Sequence, residues 1–128
     1  SGTTTYYVRA EGDCNTTSCA SATLTVKTNS TAPSSITIGT NNICPGSSST
    51  LTVNGGSLGT GASWKWYSGS CGGTLVGTGP IINVTPYVTT TYYVRAEGDC
   101  NPSGTSCASA TLYVKTNSTT PSSITIDR

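Results

Sequence analysis

Six cysteines carry most of the chemistry that this 128-residue chain could do: Cys14, Cys19, Cys44, Cys71, Cys100 and Cys107. Thiols hold metals, exchange disulfides or staple a fold, and their spacing helps to separate these uses. Zinc knuckles place paired cysteines two to four residues apart, mostly with histidine. Here Cys14 and Cys19 enclose four residues, Cys100 and Cys107 enclose six, Cys44 and Cys71 stand alone, and the chain has no His. The pattern reads as a disulfide framework made in an oxidising compartment. Six cysteines allow fifteen connectivities, and the spacing does not choose among them.

Catalysis finds little support. Without His, the commonest general base and metal ligand is missing, so the many Ser and Thr hydroxyls have no base to activate them. The acids are Glu11, Asp13, Glu97, Asp99 and Asp127. Glu97 and Asp99 flank Gly98 and could contribute oxygens to a Ca²⁺ site, but a solvated turn is the simpler reading. A facing pair of carboxylates for glycoside hydrolysis is not evident. No glycine cluster has the strand–helix context of a phosphate loop. The expectation is a non-enzyme with no cofactor and no metal.

The surrounding composition points the same way. Six basic residues against five acidic ones give a net charge of +1, with only 9% of residues charged. That charge gives no footprint for nucleic acid or an anionic membrane. No apolar run is long enough to cross a bilayer. Thr occurs 26 times and Ser 19 times, beside seven Tyr, two Trp and many Val and Ile. β-branched and aromatic residues suit a pleated, half-buried surface. No segment spaces its apolar residues as a helix would. The chain reads as all-β.

The sequence repeats itself. Residues 3–15, TTTYYVRAEGDCN, recur letter for letter at 89–101. Residues 19–38 recur at 107–126, with Thr25 replaced by Tyr113 and Ala32 by Thr120. The period is that of a domain rather than of a solenoid turn. We expect residues 1–26 to be the last two strands of one repeat, and 27–33 a linker. Residues 34–114 would then form a complete repeat, 115–121 a second linker, and 122–128 the first strand of the next. On this reading the chain samples a longer repetitive polypeptide.

Alternation places strands around Ile36 and Ile38, Leu51 and Val53, and Trp64 and Trp66. It places others around Ile82 and Val84, around Tyr92, Val94 and Ala96, and around Ala110, Leu112 and Val114. Each has one apolar and one polar face, as a two-sheet sandwich requires. Turn signals such as Pro45-Gly46, Asn54-Gly55-Gly56 and Gly79-Pro80 separate them.

The segments ICPGSSSTLTV (43–53), ASWKWYSGSCGGTLVGTG (62–79), TTTYYVRAEGDC (89–100) and CASATLYV (107–114) resemble the tandem immunoglobulin-like repeats of large secreted and surface proteins of bacteria, adhesin-like and fibre-forming. The resemblance implies a disulfide-stapled immunoglobulin-like β-sandwich. It implies a buried Trp66, and it makes Tyr92 the residue whose hydroxyl would close a tyrosine corner. Val94 stands where antibody domains carry a cysteine. That topology implies the pairs Cys44–Cys71 and Cys100–Cys107, with Cys14–Cys19 as the copy of the latter.

The resemblance also implies a structural repeat of an extracellular fibre or cell-surface stalk, whose partners are its own copies. The linkers KTNSTAPSS and KTNSTTPSS would act as flexible tethers or as docked joints. Asn15, Asn29, Asn83 and Asn117 head N-x-S/T sequons and are candidates for covalent glycans. The alternative is a carbohydrate- or ligand-binding module of a surface adhesin. Its sugar-stacking or subunit-contact patch would consist of Tyr67 and Tyr93 on the polar sheet face.

Overall fold

The computed structural model describes residues 2–127. It contains nine strands and no helix among them: β1 (Thr4–Val8), β2 (Ala20–Leu24), β3 (Ser35–Ile38), β4 (Ser49–Asn54), β5 (Ser63–Ser68), β6 (Thr74–Thr78), β7 (Ile81–Val84), β8 (Thr90–Glu97) and β9 (Ala108–Leu112). β3 to β9 build a two-sheet sandwich. One sheet has the order β3-β4-β7 and the other β6-β5-β8-β9. All pairings are antiparallel. This is the immunoglobulin-like arrangement expected.

Alternation sets the core. Leu51, Ile82 and Val84 from the first sheet meet Trp64, Trp66, Tyr92, Val94, Ala96, Ala108 and Leu112 from the second. Ile36, Ile38, Val53 and Val114 pack against them. Trp66 is fully buried, and its indole Nε1 donates to the Gly79 carbonyl at 2.7 Å, so its one polar atom is satisfied. Tyr92 is also buried, and burial raises its phenol above the usual tyrosine range. Among the described residues no backbone carbonyl accepts from that hydroxyl, so the expected tyrosine corner is not closed.

Two elements differ from expectation. β6 has no alternating pattern, and it includes Gly77, so apolar periodicity does not reveal it. It forms because β5 offers a free edge, and the pairing absorbs a register shift between Trp66 and Tyr67. The strand expected over 122–128 is not formed in the described part of that segment, where Ile124 and Ile126 are exposed. Its copy, β3, is a strand because it pairs with β4. Residues 122–127 have no such neighbour among the described residues, and an unpaired strand does not hold itself.

β1 and β2 form a separate hairpin. It repeats β8 and β9 in sequence and in register: Tyr6 faces Ala22 as Tyr92 faces Ala110.

Candidate functional site

Two places on the molecule bring distant residues together: the outer face of the larger sheet and the pole where the first linker enters.

On the sheet, alternation turns Lys65 and Tyr67 of β5 and Tyr93, Arg95 and Glu97 of β8 away from the core. Lys65 pairs with Arg95 and Tyr67 with Tyr93 across the strands. Arg95 Nε donates to Glu97 Oε2 at 2.8 Å, and the Tyr67 hydroxyl donates a short hydrogen bond to the same oxygen. The guanidinium lies 5.1 Å from the centre of the Tyr67 ring. Burial alone would raise the Glu97 pKa. The bonds from Tyr67 and Arg95, helped by the charges of Arg95 and Lys65, outweigh it and hold the carboxyl below its ordinary range. Burial, and then the Glu97 carboxylate, push the Tyr67 phenol up.

The β5–β6 turn folds back over this face. Arg95 Nη1 comes within 4.0 Å of Cys71 Sγ, and Cys71 is bonded to Cys107 across a Cα–Cα distance of 6.0 Å. The staple ties the turn to the start of β9. This corrects the expected pairs Cys44–Cys71 and Cys100–Cys107. The reason is the turn: it bends onto the sheet face instead of pointing along the strands, so Cys71 reaches the residue beside Arg95 and not the loop of Cys44. Cys44 and Cys100 are exposed and unpaired, and so are Cys14 and Cys19, which corrects the third expected pair.

The sugar-stacking patch is corrected as well. Tyr67 is only 9% exposed, so its ring is not free to stack on a ligand. Tyr93, its cross-strand neighbour, is half-buried. Outward alternation was legible in the sequence; the covering turn was not. Glu97 and Asp99 diverge, the first into this cluster and the second toward Lys27, so they make no shared cation site. No group of three or more metal-ligating side chains exists among the described residues.

At the pole, the linker is docked. Thr28 N donates to Thr60 Oγ1 at 2.9 Å, and Ser30 N donates to Asn101 Oδ1 at 2.8 Å. Gly59 N donates to Ser30 Oγ at 2.9 Å. Thr31 and Ser57 exchange backbone bonds of 3.0 and 3.3 Å. Lys27 Nζ lies 3.2 Å from Asp99 Oδ2. Ser30 and Pro33 are buried. Glycines make room: a Cβ on Gly59 would overlap the Thr28 carbonyl, and one on Gly56 would sit 2.8 Å from the Ala32 oxygen. Groups from two loops, β4–β5 and β8–β9, therefore seat one short segment. The sequence offered this only as one of two alternatives for the linker.

The opposite pole releases the second linker. Ile43 N donates to the Tyr113 carbonyl at 3.1 Å, and Lys115 N donates to the Ile43 carbonyl at 2.7 Å. Asn41 Oδ1 accepts from Tyr113 N at 2.7 Å. The four sequon asparagines, Asn15, Asn29, Asn83 and Asn117, are all exposed.

A family model described as "Ig-like domain CHU_C associated" matches residues 31–121. No curated protein and no solved structure matches the chain. The match spans the sandwich with the end of one linker and the whole of the other.

Proposed function

The chain belongs to the CHU_C-associated Ig-like family, and from that premise we propose that it is a structural repeat of an extracellular fibre or surface stalk. Membership in this family suggests a module of the cell surface or extracellular space. An all-β Ig-like domain is typically non-catalytic, although a fold alone does not fix a function.

One observation carries the reading. The segment KTNS at 27–30 is seated on one pole of the sandwich, and the same four residues at 115–118 leave the other pole. The linker is thus part of a joint rather than a tether. Identical joints rotate each domain by the same amount, and a fixed rotation that does not close makes an open filament. A chain with only 9% charged residues has little repulsion to oppose such packing. The exposed sequons leave room for covalent glycans on that surface, which an intact-mass measurement tests.

Electron microscopy of native material is the test. Straight or helical filaments with an axial repeat of one sandwich, roughly 40 Å from strand and loop lengths, are the expected result. Separate globular particles, or beads wandering on a flexible string, would refute the fibre. The sugar-binding alternative has lost its Tyr67 platform and gains no support from the geometry.

A further inference from the structure

The four unpaired cysteines follow the repeat. Cys19 is the copy of Cys107, whose partner is Cys71. The copy of Cys71 that would serve Cys19 does not fall within the 128 residues. Cys14 is likewise the copy of Cys100. That leaves two independent thiols per repeat, Cys44 and Cys100, and they sit at opposite poles.

Both flank the same four-residue segment when the joint is copied forward. Cys100 lies between Asp99, which pairs with Lys27, and Asn101, which accepts from Ser30. The next repeat's copy of Cys100 would therefore lie against Lys115 to Ser118, the identical KTNS. Cys44 already lies there, because its neighbour Ile43 exchanges backbone bonds with Tyr113 and Lys115. Both thiols are exposed.

We propose that Cys44 of one repeat and Cys100 of the following repeat form a disulfide across the joint. The partner is a second copy of this repeat, and the inference rests on the array reading above. The oxidant is a small-molecule or enzyme disulfide. One thiolate attacks it and forms a mixed disulfide, releasing one oxidant thiol. The second thiolate then displaces the other oxidant thiol. The two protons and two electrons of the repeat thiols end on the oxidant. With Cys71–Cys107 closed inside each repeat, every cysteine of an interior repeat is then paired.

The test is the 128-residue chain with residues 34–121 duplicated in tandem, so that residues 1–33 precede the first copy, refolded in glutathione and glutathione disulfide beside the unduplicated chain. Trypsin cuts after Lys27, Lys65, Arg95 and Lys115, so Cys44 falls in peptide 28–65 and Cys100 in 96–115. Ala32 marks the first copy's Cys44 peptide, since the second carries Thr120 in its place. Under non-reducing conditions the Ala32-marked peptide should be joined to 96–115. Cys100→Ser in the second copy should abolish that link completely, and the same change in the first copy should leave it intact. In the 128-residue chain Cys44 should stay free. A free first-copy Cys44, or one joined to Cys71 or to Cys100 of its own repeat, overturns the proposal. Small-angle scattering of the same chain separates the two readings. A rigid two-repeat body with Cys44 free rejects the cross-link alone, whereas independently tumbling repeats reject the array as well.

Discussion

The two hairpins of this protein have nearly the same sequence and the same register, yet one is a core and the other a surface. Tyr92, Val94 and Leu112 are 4%, 0% and 0% exposed, whereas their copies Tyr6, Val8 and Leu24 are 61%, 70% and 58% exposed. The ion pair is copied too. Arg95–Glu97 and Arg9–Glu11 both close at 2.8 Å, but with side chains 19% and 20% exposed in the first and 48% and 63% in the second. Local sequence makes the hairpin; burial comes from what lies opposite. For β8 and β9 the opposing sheet is β3-β4-β7. For β1 and β2 no such sheet exists among the described residues, and their faces line an open groove of about 230 Å³.

The comparison breaks most sharply on a buried charge. Val94→Asp should unfold the sandwich, since an unpaired carboxylate in the core costs several kcal/mol, a large share of the 5–15 kcal/mol that a domain has. Val8→Asp should change stability by no more than about 0.5 kcal/mol. Calorimetric melting of the two variants decides it, and equal effects would mean that β1–β2 is packed after all.

The staple gives the next difference. Cys71–Cys107 closes a ring across a sequence separation of 36, which the chain-entropy model values at about 4 kcal/mol. Cys107→Ser should lose most of that in urea denaturation, and Cys19→Ser none. A similar small loss at both sites would return the pairing question to the alternatives.

The smallest effect is the sharpest on electrostatics. Glu97→Gln should cost about 1.5 kcal/mol, the lower end for bonds to a charged group, and Glu11→Gln under about 0.5 kcal/mol as an exposed pair. The sign with pH follows from the shifts. Glu97 is held below its unfolded value, so its contribution is present above the ordinary carboxylate range and lost as pH falls through the native value. Tyr67 is raised, so its contribution is present below the unfolded tyrosine value and lost as pH rises through the native one. Melting temperature against pH should therefore fall at both ends. Glu97→Gln should flatten the acid limb.

Much of the fold was legible because alternation is a local signal. Trp64, Trp66, Tyr92, Val94 and Leu112 face inward as their spacing requires. The sheet-edge strand β6 was not legible, because an edge strand pairs through its backbone and TLVGT shows no two-faced pattern. The cysteine pairing was misread for a related reason. A topology says which turns share an end of the sandwich, not which turn folds back over a face. Tyr67 shows both sides of this: its outward direction could be read from the sequence, and its burial came from a turn and an arginine brought in by tertiary packing.

The sequence by itself determined the β character, the inward faces and the repeat, because each depends on residue type and spacing along the chain. The tertiary structure decided which cysteines meet, whether Tyr67 is covered, and whether the linker is seated. Those outcomes depend on loops converging from distant positions: Ser30 bonds to Gly59 and Asn101, and Cys71 to Cys107. The same residues can be core in one hairpin and surface in the other because burial is a property of the partner sheet, which no hairpin encodes alone.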